Sequence, residues 1–219
     1  MAKFVFFDLW NTLVYNTTYE VTEELAERYS FPESFDPKLF LHETVKPLMT
    51  INYDVDEEFF RDLFAEWGRE TSDQELKEII DLWKHRLDGA YVFPETVEVL
   101  ETLSESFQLV LISNLTYHAL NVFQERFNLE RFFPQHVYSC AEGVMKPEKE
   151  IFDLALSRCQ AQPEEVVFVG DSYELDVEGP KNAGLRAVWL NRRNRNPPEN
   201  PRFKPDAVIN NLSELIPLL

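Results

Sequence analysis

Long apolar runs are missing from this 219-residue chain. The first, Phe4 to Phe7, stops at Asp8, and the next, near Leu109, ends within a few residues. Neither is long enough for a signal sequence or a bilayer span. Cysteine is equally scarce: Cys140 and Cys159 are the only two, and neither sits in a metal-like cluster or suggests a disulfide scaffold. A soluble protein in the reducing cytoplasm is expected. Six glycines and 13 prolines exclude collagen-like and low-complexity architectures. Positive charge is also in deficit, with 21 Lys plus Arg against 39 Asp plus Glu and a net charge of -18. That field repels polyanions, so nucleic acid and anionic membranes are excluded as first partners. A small phosphate ester remains compatible, because a metal ion and a lysine can dominate one pocket.

What the chain does have is core-forming material: 44% hydrophobic residues, including 18 Phe. Phe4-Val5-Phe6-Phe7 reads as a buried strand that ends on Asp8, with Asn11 and Thr12 turning the chain out of it. An Asp at that edge can cap a helix, bind a metal or attack a substrate. From Tyr15 to Ala90 the pattern turns helical. Predicted helices cover Thr22 to Tyr29, a segment from Pro37 carrying Phe40, Leu41, Val45 and Leu48, and a third starting at Asp54 or Asp56. A fourth follows Ser72, whose spacing to Glu75 matches a capping box. This insertion holds 19 acidic and 8 basic residues, read as a solvated face.

After Pro94 a helix through Val97, Leu100 and Leu103 leads into a strand, Phe107 to Ile112, that ends in Ser113-Asn114. A helix over Tyr117 to Phe127, a Val137-Tyr138 strand ending near Cys140, and a helix over Glu148 to Ser157 come next. Val166 to Val169 is another buried strand, ending in Gly170-Asp171-Ser172. A helix over Val177 to Ala183, a strand over Ala187 to Leu190, an edge strand at Ala207 to Ile209 and a terminal helix with Leu212, Leu215 and Ile216 complete the pattern. Alternating helices and continuous apolar strands indicate an α/β fold, a Rossmann-like three-layer core with a parallel sheet. The expected division is a core of residues 1–14 and 91–219 and a helical cap of residues 15–90. The Asn191 to Pro205 loop holds four Arg, four Asn and four Pro. Its arginines can bind an anion but do not make a nucleic-acid module.

In a parallel sheet the strand ends point one way, so Asp8, Ser113 and Asp171 can meet, with Lys146 from the loop before a helix. Two carboxylates suit Mg²⁺ better than a soft metal. Taken singly, each is an ordinary cap, turn or surface residue; together and in order they form a candidate site. His85, His118 and His136 offer no metal spacing.

These segments carry a resemblance. Asp8-Leu9-Trp10-Asn11-Thr12-Leu13, Ser113-Asn114, Lys146-Pro147 and Gly170-Asp171-Ser172 through Asp176 resemble the four ordered motifs of the haloacid dehalogenase-like hydrolase superfamily, across nearly the whole chain. The resemblance implies a Mg²⁺-dependent phosphatase acting on a small phosphorylated metabolite through an aspartyl phosphate. It implies Asp8 as nucleophile and metal ligand, Asp171 and the Trp10 carbonyl as further ligands, and Thr12 as a brace. Ser113, Asn114, Lys146 and the backbone at Leu9 and Trp10 would hold phosphate, and Ser172 and Asp176 would support Lys146 or the metal from behind.

One position departs from the pattern. Family phosphatases place a second Asp two residues after the nucleophile as general acid and base, where this chain has Trp10, which cannot shuttle a proton. Turnover would then be slow, need a good leaving group, or borrow an acid from Tyr15, Tyr19, Glu20 or His42. The dehalogenase branch also carries an aromatic residue there, but it uses an Arg at the start of the cap, absent from Val14 to Thr18, and lacks the equivalent of Asp171. A metal-independent 2-haloacid dehalogenase and a catalytically weak metal-binding or regulatory protein are the alternatives. A monomer and a homodimer are both compatible with the sequence.

Overall fold

Strands that lie in the middle of a sheet with helices on both faces must be apolar at every position, because neither face meets water. Four strands of this protein satisfy that requirement almost without interruption. In the computed structural model, which describes residues 2–15, 24–29, 46–50, 56–85 and 87–219, the strands are β1 (Phe4–Phe7), β2 (Val14–Tyr15), β3 (Tyr91–Val92), β4 (Gln108–Ser113), β5 (Gln135–Tyr138), β6 (Val166–Gly170), β7 (Arg186–Leu190) and β8 (Ala207–Ile209). Six form one sheet in the order β5-β4-β1-β6-β7-β8, and every pairing in it is parallel.

Side chains alternate across β1. Val5 and Phe7 join one core layer with Leu109, Leu111, Val167 and Val169, beneath the helices Thr96–Ser104 and Tyr117–Phe127. Phe4 and Phe6 join the opposite layer with Val110, Ile112, Val166 and Phe168, covered by the helix Lys149–Cys159. Burying each such side chain contributes about 1.5–3 kcal/mol. The chain builds outward from β1 through β4 to β5, then returns to the other side of β1 for β6. That reversal opens a crevice beyond the C-terminal ends of β1 and β6, the place where open α/β sheets bind ligands.

The helices Lys46–Thr50, Asp56–Glu66 and Asp73–His85 bury a stripe of their own, with Phe60, Phe64, Ile79 and Trp83 at its centre. The two-stranded ribbon of β2 and β3 joins the chain on either side of them, and Tyr15 stacks on Tyr91 there at 5.0 Å. Ser72 caps the helix Asp73–His85 through the Glu75 amide at 3.3 Å, but the Glu75 carboxylate pairs with Arg69. Only half of the expected capping box forms, because a charged partner outcompetes the Ser72 amide.

Other expectations need correction. Cys140 does not end a strand: β5 stops at Tyr138, and Cys140 is buried in the short helix Ser139–Glu142. The expected helix over Val177 to Ala183 begins earlier, as a π-helical turn Glu174–Glu178 that passes into the helix Gly179–Asn182. The terminal segment Leu212–Leu218 is a 3₁₀ helix that buries Leu212 and Leu215, three apart as its period requires, and leaves Ile216 exposed. A helical stretch at 24–28 falls within the first expected cap helix. The Thr22 cap, the segment from Pro37 through Val45, Asp54, Tyr19, Glu20 and His42 lie outside the described residues.

Candidate active site

The site starts from the turn after β1. Asp8 donates its N–H to the Val169 carbonyl at 2.9 Å, which carries the β1–β6 pairing one residue past the strand and fixes the Asp8 backbone. Asn11 then adopts φ 61°, a left-handed conformation that Asn tolerates better than most residues. The chain folds back so that the Leu13 and Val14 amides both donate to the Leu9 carbonyl, at 2.9 and 3.0 Å. This places the Thr12 hydroxyl 2.9 Å from Asp8 Oδ2, to which it donates. The Leu9 side chain is buried in the core and Trp10 packs partly against it. Among the described residues, the Leu9 and Trp10 amides donate no hydrogen bond, so both remain open to a ligand.

Lys146 meets this turn from far along the chain. Its Nζ donates to Asp8 Oδ1 and to Asp176 Oδ1, both at 2.7 Å, and its side chain is only 1% exposed. Burial alone would drive the ammonium toward its neutral form, but the Asp176 and Asp8 charges outweigh it and hold the Lys146 pKa above its usual value. Asn114 sets the backbone of this lysine: its Nδ2 donates to the Lys146 carbonyl at 2.9 Å, and its Oδ1 accepts from the Lys146 amide at 2.8 Å. The sequence pointed to the Asn114 backbone as a phosphate holder; the structure shows its side chain committed to the Lys146 loop. Ser113, at the end of β4, keeps its Oγ buried and without a hydrogen-bond partner among the described residues.

Asp171 and Asp176 complete the cluster. Each of Asp8, Asp171 and Asp176 offers an oxygen within 4.8 Å of the others. The π-helical turn carries Asp176 back over β6, where its Oδ2 accepts from the Ser172 amide at 2.9 Å. Burial, reinforced by the Asp8 and Asp176 charges, pushes Asp171 up to about 8, with Arg195 and Lys146 opposing the shift. Burial also raises Asp176, against the pull of Lys146. One ammonium among three carboxylates leaves the cluster short of positive charge, and all the donors are hard oxygens. A divalent cation fits such a set.

Thus Asp8, Thr12, Lys146, Asp171, Ser172 and Asp176 converge through hydrogen bonds or clustered carboxylate oxygens, with Ser113 and Asn114 at the adjoining strand end. Sequence reasoning missed Arg192. Its guanidinium donates to the Thr12 carbonyl at 3.0 Å and to Glu95 Oε1 at 2.6 Å, and stacks 3.8 Å over Phe93. It therefore ties the turn after β1 to the segment beside β3. The polar loop that holds Arg192 was visible, but its direction was not.

Comparison with known proteins agrees with this geometry. A family model described as haloacid dehalogenase-like hydrolase matches residues 2–184. The chain is 35% identical over 127 residues to the pyrimidine 5'-nucleotidase YjjG of Escherichia coli, a match that covers 58% of this chain and 56% of that protein. It is 41% identical over 73 residues to the phosphoserine phosphatase of Thermus thermophilus, covering 33% of this chain and 28% of that one. The matches therefore span about half of the first relative and under a third of the second. A structure of the HAD-hydrolase YfnB from Bacillus subtilis bound to magnesium superimposes with a TM-score of 0.70 at 24% identity, covering 100% of this chain and 98% of that chain, a likeness of fold.

Proposed function

Because this chain belongs to the haloacid dehalogenase-like hydrolase family, we propose that it is a Mg²⁺-dependent phosphatase that hydrolyses a small phosphomonoester through Asp8. The observation that carries the reading is the meeting of Asp8, Asp171 and Asp176 oxygens within 4.8 Å, with Lys146 Nζ 2.7 Å from Asp8. Residues 1–14 and 91–219 would be the core that holds this chemistry, and residues 15–90 the cap over it. The separate apolar cluster of the cap helices supports that division. With both cysteines unpaired, the reading places the protein in the cytoplasm; no helix among the described residues is long and apolar enough to cross a membrane.

Asp8, Asp171 and Asp176 would hold the cation, with the Trp10 carbonyl as a further oxygen. When bound, Mg²⁺ would supply positive charge that lowers the repulsion between a carboxylate and a phosphate. Lys146 adds to that screening from a buried position beside Asp8, where little water damps its charge. The open Leu9 and Trp10 amides and the Ser113 hydroxyl would hold the phosphoryl oxygens. A carboxylate oxygen of Asp8 attacks phosphorus; the new O–P bond forms as the bond to the ester oxygen breaks, and the alcohol departs once protonated. Water then hydrolyses the aspartyl phosphate and restores Asp8.

The proton for the leaving oxygen has no donor at Trp10. General acid catalysis is worth about 10²–10⁴-fold in rate, so this enzyme would favour esters with good leaving groups. Tyr15 is the one described residue among the cap candidates for a replacement acid, and it lines the cleft beside Asp171.

Assay of aryl phosphates and short 2-haloacids, with and without Mg²⁺, tests the proposal. Phosphate release that disappears in Asp8→Asn and in metal-free protein supports it. Metal-independent halide release would establish dehalogenase chemistry instead. Mg²⁺ binding with neither activity would favour a binding role.

A further inference from the structure

Beside Asp171, between the turn after β1 and the segment that follows β7, lies a cleft of about 100 Å³. Arg192, Arg193 and Arg195 line it, facing Asn11 and Tyr15. Three arginines lining one small opening are unexpected in a chain of net charge -18. We propose that this cleft is a second anion site, which takes a carboxylate or a second phosphate carried on the same molecule whose phosphoryl group meets Asp8. The proposal rests on the phosphatase reading and narrows it to substrates with two anionic groups.

The loop is built to present these side chains. Asn191 is buried, and its side chain closes the turn from both sides: Oδ1 accepts from the Arg195 amide at 2.8 Å and Nδ2 donates to the Arg195 carbonyl at 2.9 Å. Asn194 turns the chain between them at φ 48° and donates its N–H to the Asn191 carbonyl at 3.1 Å. The backbone that carries Arg193 and Arg195 is therefore held in place.

The three arginines are not equivalent. Arg192 is committed to Glu95, Thr12 and Phe93, and so forms a wall of the cleft. Arg195 makes a single long contact, 3.4 Å to Asp171 Oδ2, and Arg193 makes no hydrogen bond or ion pair among the described residues. A guanidinium has five donors in a planar fork that matches carboxylate and phosphate, so most of that capacity is open. The cleft has room for a compact anionic head. Asp171 belongs to both the carboxylate cluster and the cleft wall, which sets the second anion directly beside the reacting phosphoryl group. Elsewhere the acidic surface repels anions, so the arginines focus them here.

The test compares propyl phosphate with 3-(phosphonooxy)propanoate and with propane-1,3-diol bisphosphate, on the full chain with Mg²⁺. The three differ only in the distal group. We expect kcat/KM to favour at least one of the two substrates with a second anionic group by about tenfold or more, the scale of a charge-assisted hydrogen bond. The preferred arm identifies carboxylate or phosphate as the head group. Arg193→Gln/Arg195→Gln should reduce the preference to below about twofold on that same scale. Equal kcat/KM for all three substrates, or a preference that survives the double variant, overturns the proposal. If none of the three alkyl esters turns over, the cleft is judged by binding, and if p-nitrophenyl phosphate is not hydrolysed either, the phosphatase reading fails as well. A rise in Tm with malonate that the double variant loses would uphold the anion site, and no rise would overturn it.

Discussion

Gly170 has no room for a side chain because Asp176 stands against it: a Cβ added at Gly170 would lie 2.6 Å from the Asp176 Cβ. Asp176 cannot move aside cheaply, since one oxygen is bonded to Lys146 and the other to the Ser172 amide. The φ of Gly170 is not in the left-handed region, so the glycine is there for space and not for backbone freedom. Gly170→Ala should destabilise the protein by about 1–3 kcal/mol, as overpacking does, and weaken Mg²⁺ binding. Urea unfolding and calorimetric titration check both; wild-type values in either would show that Asp176 relocates freely.

Lys146→Met removes the ammonium that neutralises two buried carboxylates. Breaking a buried pair from one side costs about 3–5 kcal/mol, and the loss should be largest in metal-free protein at alkaline pH, where Asp171 and Asp176 have both lost their protons. Phosphatase rate should fall by about 100-fold or more. A variant as stable as wild type at alkaline pH would mean that the lysine charge is not what holds the cluster.

The raised Asp171 pKa makes stability depend on pH. Its ordinary value is 3.8 and its folded value about 8; between these the folded protein holds a proton that the unfolded chain has released. Stability of the metal-free protein therefore falls as pH rises through this window and levels off above it. Asp176 acts with the same sign. Thermal unfolding across the window should show Tm falling in wild type and a smaller slope in Asp171→Asn. Added Mg²⁺ competes with the proton, so its stabilising effect should grow with pH. Identical slopes in the two proteins would refute the assignment.

Trp10→Asp restores a carboxylate where a leaving-group acid would stand. Phosphatase rate should rise by up to about 100-fold for alkyl esters and much less for nitrophenyl esters, since only poor leaving groups need the proton. Rates measured across leaving groups of graded pKa check this. An unchanged dependence would show that another residue already supplies the proton.

The readable parts of the fold were those where one local pattern decides the structure. β1, β4, β6 and β7 announce themselves as apolar runs because both of their faces are covered. The stripe of Leu76, Ile79, Ile80 and Trp83 announces its helix because one side alone is buried. The short helix at Ser139–Glu142 and the π-helical turn at Glu174–Glu178 did not show. Each is too brief for a period to register, and each is shaped by what it must reach: Ser139 Oγ accepts from the Leu115 amide, and Asp176 reaches Lys146. Asn114 and Arg192 were hidden for a related reason, since a polar residue in a loop has no spacing that reveals its partner.

By itself, the order of amino acids determined which chemistry was available: a carboxylate at the end of a buried strand, a lysine before a helix, and an acidic turn after another strand. It also determined that these would lie on one edge, because parallel strands share a direction. Only the tertiary structure decided which of them touch. Lys146 and Asp8 are 138 positions apart, and their contact depends on β4, whose following residue Asn114 holds the Lys146 backbone, lying beside β1, a choice made by packing over the whole sheet. The same choice turned a loop of arginines, ordinary in composition, toward Asp171.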